Sequence, residues 1–114
     1  MRKVVITGIG VVSPVGSTLD SFWQSITSGV SGIGHIDAFD TTDFAVKIAG
    51  QVTDFDPNDF IARKEQRRMD RYCHLALGAA KMAVSNSGLD TAAENPERMG
   101  GERQCRYAEY RDWP

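Results

Sequence analysis

The side chains able to do covalent or metal chemistry are few: Cys73, Cys105, His35 and His74. Cys73 and His74 are adjacent, and consecutive helical residues point in different directions, so they cannot serve as a nucleophile and its base. His35 lies in Gly34-His35-Ile36 without a partner at ligand spacing, and no His, Cys or acidic pattern predicts a metal centre. Nothing beside Cys105 marks it as an activated thiol. No complete catalytic constellation is visible, and no residue is assigned a catalytic, metal-binding or cofactor-binding role.

The opening Thr7-Gly8-Ile9-Gly10-Val11-Val12-Ser13-Pro14-Val15-Gly16 invites a dinucleotide reading, because a strand ending in G-x-G brings backbone N–H groups to a pyrophosphate. The third glycine is missing, and Ser13 and Pro14 stand where the phosphate-binding helix should begin. A structural strand-to-loop turn fits better. A nucleotide-binding fragment using Gly8 and Gly10 stays as an alternative.

Arg63, Lys64, Arg67, Arg68 and Arg71 form a basic cluster offset only by Glu65 and Asp70. Residues 37 to 59 are the opposite, with six aspartates and one lysine. Such a contrast is either a solvated helical face beside an acidic loop or an electrostatic dock for an acidic partner, whose attraction speeds encounter and weakens with salt.

Positioning these residues falls to a handful of elements. Lys3 to Thr7 is a β-branched run closed by Gly8, the pattern of a buried strand. Ser17 or Thr18 can cap a helix in which Leu19, Phe22, Trp23 and Ile26 share one face, and Gly29 stops it. Val30 to Phe44 is expected to be a long surface loop, and Val46 to Val52 alternates as a half-exposed strand. Asp56-Pro57 starts a short helix reaching about Arg63, because proline loses nothing at a first helical position. A long helix from about Met69 to Ser87 ends at Gly88, and its Ala76, Gly78, Ala79, Ala80 and Ala83 allow close approach by neighbours. Its small side chains predict a central helix covered on several sides.

Composition limits the function classes. The 114 residues make about one small domain, and 41% hydrophobic with 25% charged residues fits a folded globular chain, not a disordered one. A net charge of −2 argues against a general nucleic-acid binder. Two cysteines make no disulfide framework and point to a reducing cytoplasm. Thr7, Gly8, Gly10, Ser13 and Pro14 break the first apolar run, so no signal peptide is expected, and no stretch approaches the roughly 20 apolar residues of a membrane span.

Six segments in order carry a resemblance: VVITGIGVVSPVG at Val4–Gly16, SGVSGI at Ser28–Ile33, FD followed by VKIAGQV within Phe39–Val52, RKEQRRMDRY at Arg63–Tyr72, NSGL at Asn86–Leu89 and ERMG at Glu97–Gly100. Over about residues 1–100 the chain resembles the N-terminal end of the 3-oxoacyl-[acyl-carrier-protein] synthases, most closely those of type II. The resemblance implies an α/β chain forming a truncated N-terminal part of a thiolase-like αβαβα layered fold. It implies an acyltransferase that elongates acyl chains in fatty-acid biosynthesis. In that chemistry a cysteine carries the acyl group, malonyl-carrier protein is decarboxylated, and the carbanion attacks the thioester while two histidines stabilise the oxyanion. It also implies a homodimer, acyl carrier protein as partner, no cofactor, no nucleic acid and no membrane.

Neither the cysteines nor the histidines here stand in the family's catalytic contexts, so the 114-residue chain is expected to be inactive alone. Lys64, Arg67 and Arg68 match basic positions that look like those the family uses to grip the acidic carrier protein, so the resemblance implies a carrier-protein dock there. The non-catalytic alternative is a remnant that binds carrier protein without chemistry. Residues 101–114, following Arg98-Met99-Gly100 with Gly101-Glu102-Arg103-Gln104-Cys105, depart from the family pattern, have no periodic apolar face, and are expected to be irregular. The departure suggests a truncated gene whose last fourteen codons are read out of frame or across an assembly error. Lost core strands would leave apolar surface exposed and the chain poorly soluble.

Overall fold

The computed structural model describes residues 2–98 and Gly100. The expected irregular tail, with Cys105, lies outside the described residues.

The N-terminal run does not form the expected strand. Residues 3–7 have no ladder partner among the described residues, and Val4, Val5 and Ile6 are 95%, 73% and 87% exposed. A strand exists only through hydrogen bonds to a neighbour, so β-branched composition alone does not make one. The run is instead held at its end, where the Ile9 N–H donates to Asn86 Oδ1 at 3.0 Å. Ser13 and Gly16 then bridge across Pro14-Val15, their backbone N–H and carbonyl groups exchanging bonds of 3.0 and 3.2 Å.

Helix α1, Leu19–Thr27, begins as its capping residues require. The Thr18 hydroxyl accepts from the Ser21 N–H at 3.2 Å and Ser21 Oγ accepts from the Thr18 N–H at 3.2 Å, satisfying two otherwise orphaned donors. The helix ends at Ser28, and Gly29 follows at φ 69°, where only glycine sits without strain. Phe22 is half-buried, whereas Leu19, Trp23 and Ile26 remain exposed on the predicted apolar face.

The stretch expected to be all loop contains a strand. β1, Ile33–His35, pairs antiparallel with β2, Ile48–Gly50, in the register Ile33–Gly50, Gly34–Ala49 and His35–Ile48. The Gln51 side chain extends the pairing by donating to the His35 carbonyl at 2.8 Å and accepting from the Asp37 and Ala38 N–H groups. Glycine content hid β1 from a periodicity search, because Gly32 and Gly34 remove the alternation that marks a half-buried strand.

The expected helix from Asp56 resolves into a 3-10 helix at Pro57–Asp59, capped by the Asp56 side chain, and a separate four-residue helix α2 at Arg63–Gln66. Helix α3 spans Arg71–Ser87 and closes on Gly88 at φ 68°. Phe55 and Ile61 are the buried apolar residues among those described, at 6% and 4% exposure. Phe55 lies against Gly78 of α3 and stacks on Phe60 with ring centroids 5.5 Å apart. Helix α3 is thus covered by this aromatic pair and by the Gly8–Gly10 segment, with Gly78 its buried residue.

Candidate functional site

The basic cluster occupies the connection between the 3-10 helix and α3. Arg63 and Lys64 lie on α2, Arg67 is its C-terminal cap, and Arg68 follows in a turn closed by its own N–H donating to the Glu65 carbonyl at 3.0 Å. Lys64, Arg67 and Arg68 are exposed, and among the described residues no carboxylate pairs with them. Three cations are thereby exposed within one short stretch of chain.

Arg71, grouped with these cations by composition, has a different occupation. Its Nη2 donates to the Val52 carbonyl at 3.3 Å and its guanidinium lies 5.5 Å from the centroid of the Phe55 ring. The charge is used to hold β2's exit and the aromatic pair against α3, a cation–π contact reinforced by a hydrogen bond.

Gln66, which sequence reasoning passed over, is the half-buried member of the Arg63–Arg68 run. Its Nε2 donates to the Ile61 carbonyl at 2.6 Å and to Asn58 Oδ1 at 3.1 Å. Its main-chain carbonyl lies 3.1 Å from His74 Nε2, a contact that makes a hydrogen bond in the Nε2-protonated tautomer. Nothing in the type or spacing of a lone glutamine among cations signals these bonds; they depend on how the chain returns on itself.

His35 is exposed on β1 with Nδ1 3.4 Å from the Ile36 carbonyl, and Cys73 is half-buried on α3. Among the described residues no group of His, Cys, Asp and Glu could hold a metal ion. An open depression lined by Phe60, Lys81, Met82, Ser85 and Asn86 has its polar ends engaged, Lys81 Nζ with the Phe60 carbonyl and Asn86 with Ile9.

Gly8 and Gly10 turn out to be packing residues. A Cβ at Gly8 would strike the Ala83 carbonyl and one at Gly10 the Ala79 carbonyl, both on α3. The G-x-G spacing therefore lets an extended chain lie directly on a helix backbone, which needs no phosphate to account for it.

The sequence profile described as "Beta-ketoacyl synthase, N-terminal domain" matches residues 1–107. The chain belongs to the beta-ketoacyl synthase family. This beta-ketoacyl synthase sequence is 41% identical over 99 residues to 3-oxoacyl-[acyl-carrier-protein] synthase 2 of Synechocystis sp. and to that of Vibrio harveyi. It is 39% identical over 99 residues to the protein of the same name from Staphylococcus aureus. In each comparison 87% of this chain aligns, and the chain spans 24% of the relative's length. A solved structure described as the ishigamide ketosynthase/chain length factor superposes with a TM-score of 0.69 at 36% identity, covering 75% of this chain and 21% of that one. The α/β arrangement is accordingly a small N-terminal part of the ketosynthase, thiolase-like fold anticipated from the sequence. Among the described residues no helix is long and apolar enough to cross a membrane.

Proposed function

We propose that this beta-ketoacyl synthase chain provides the N-terminal, carrier-protein-facing part of a type II 3-oxoacyl-[acyl-carrier-protein] synthase. The reaction is elongation of an acyl chain by decarboxylative condensation with malonyl-carrier protein in fatty-acid biosynthesis. Lys64, Arg67 and Arg68 are assigned to docking the acidic acyl carrier protein. The observation that carries this reading is their joint exposure, without carboxylate partners among the described residues, on a turn whose neighbour Arg71 is engaged internally. Cations left unpaired at a surface attract an acidic partner at long range and lose that attraction as salt screens it.

The domain sequence is assigned to about residues 1–100 and the rest to a tail outside it, although the family profile runs on to residue 107. A cytoplasmic setting, and a homodimeric assembly of the complete enzyme, are assigned by the family resemblance. The catalytic chemistry is assigned to the longer family members, of whose length this chain spans 24%.

Titrating the purified 114-residue chain with acyl carrier protein at several salt concentrations tests the dock. Salt-sensitive binding supports it, and absence of binding at low salt overturns it. In parallel, malonyl- and acyl-carrier protein incubated with the chain should give no 3-oxoacyl product; product would overturn the assignment of catalysis elsewhere. Binding without product is also what a non-catalytic carrier-protein binder would show, so the two readings are separated by whether a complete synthase with the same turn loses condensation when its cations are reversed.

A further inference from the structure

Helix α2 is only four residues long, and a single helical turn does not hold its own shape in water, because nucleation costs more than one or two hydrogen bonds return. Something else must fix the direction in which Lys64, Arg67 and Arg68 project. The bonds that converge on Gln66 supply it. Asp56 Oδ1 accepts from both the Asn58 N–H and Asn58 Nδ2 at 2.8 Å, which orients the Asn58 amide so that its oxygen faces Gln66. Gln66 Nε2 then donates to Asn58 Oδ1 and the Ile61 carbonyl, while the Gln66 main-chain carbonyl, which a side-chain substitution leaves in place, lies 3.1 Å from His74 Nε2 in the first turn of α3. A continuous relay, Asp56 to Asn58 to Gln66 to His74, ties the 3-10 helix through α2 to α3. Ile61, at one of its contacts, is the most buried apolar residue described.

We propose that Gln66 is the positioning residue of the basic turn: it bears no charge itself, and it holds Lys64, Arg67 and Arg68 in the fixed arrangement that an acidic partner surface must match. This rests on the docking reading above. Three long cationic side chains on a loose turn lose backbone freedom on binding, and that ordering cost is subtracted from the affinity. With the turn held beforehand, only side-chain freedom remains to be lost.

The test compares the full chain with Gln66→Met, which keeps the length and helix preference of the side chain, leaves the net charge unchanged and cannot donate. Binding to acyl carrier protein is measured by titration calorimetry across a salt series, with helix content followed by circular dichroism. The dissociation constant is expected to rise about tenfold. The stoichiometry should be unchanged, and the slope of log affinity against log salt should become shallower as a cation falls out of register. A purely structural role would instead lower the binding-competent fraction, and with it the stoichiometry, while leaving the slope alone; that result overturns the proposal, as does a dissociation constant within twofold of the parent. Should Gln66→Met lose its helical signal, Asn58→Ala carries the test, since it removes one acceptor from the relay: a rise of about threefold supports the proposal and no change overturns it. If the parent does not bind at all, the docking reading fails and this inference with it. Parent binding that is abolished by Arg67→Glu yet indifferent to Gln66→Met leaves the dock standing and removes only the role of Gln66.

Discussion

Asp54 holds Ser17 with both carboxylate oxygens, accepting from the hydroxyl at 2.6 Å and from the backbone N–H at 3.2 Å. The contact joins the start of α1 to the residue that precedes Phe55, and so links the N-terminal turn to the small aromatic core. Ser17 is buried, and its N–H has no helical partner of its own at that position. Replacing Asp54 with alanine leaves a buried N–H and a buried hydroxyl to find other acceptors, which costs about 1–3 kcal/mol. A urea titration of Asp54→Ala should show a lower midpoint with an unchanged slope; an unchanged midpoint would contradict the role given to this bond.

Gly78 is where the aromatic pair meets α3. A Cβ there would run into the Phe55 ring at Cε2 and Cζ, and the ring is buried and stacked on Phe60, so it has little room to move. Alanine in a helix interior gains about 1 kcal/mol over glycine. Overpacking of a filled site costs about 1–3 kcal/mol. Gly78→Ala should therefore lower stability on balance, whereas Gly34→Ala, whose Cβ meets nothing within 4 Å, should not. Thermal unfolding of the two variants side by side gives the sign.

Arg67→Glu replaces a cation at the middle of the exposed turn with an anion. Carrier-protein affinity at low salt should fall by at least about tenfold, or about 1.4 kcal/mol. The difference from the parent should narrow as salt is raised. Arg71→Glu should differ in kind: its guanidinium holds the Val52 carbonyl and covers the Phe55 ring, so loss of folded stability is expected alongside any loss of binding. Equal stability of the two variants in urea would refute that distinction.

Asp40 is fully exposed, and its carboxyl is held below the usual 3.8 of an aspartate, first by the Thr42 hydroxyl and then by the Thr42 N–H, both donating to it. A depressed carboxylate stabilises the folded loop at pH above its unfolded value, and that contribution is lost as pH falls through the lower, folded value. In a carbon-detected NMR titration the Asp40 carboxyl should titrate below 3.8, and Thr42→Val should move its midpoint upward. A midpoint that ignores the loss of the hydroxyl would show that another group sets it.

Much of this protein was legible in its residues wherever the governing interaction is local. Thr18 with Ser21, Asp56 with Pro57, and Gly88 each determine a helix end through contacts within a few residues, so the start of α1, the start of the 3-10 helix and the end of α3 follow from type and spacing. The exposed cations Lys64, Arg67 and Arg68 were visible for the same reason, since charges concentrated in a short run stay near one another in any fold. Six segments in the right order were enough to identify the family. What required the tertiary structure was everything that depends on a distant partner. Residues 3–7 look like a strand but have no ladder among the described residues, and β1 lies inside an apparent loop because Gln51 and β2 come back to it. Gly8 and Gly10 mimic a nucleotide turn until α3 is laid against them. Arg71, grouped by composition with the exposed cations, is engaged by the Val52 carbonyl and the Phe55 ring, and Gln66, which carries no signal of its own, bonds to Asn58 and Ile61. Backbone pairing and side-chain relays of this kind join residues tens of positions apart, and their energies belong to the pair, which neither local sequence contains.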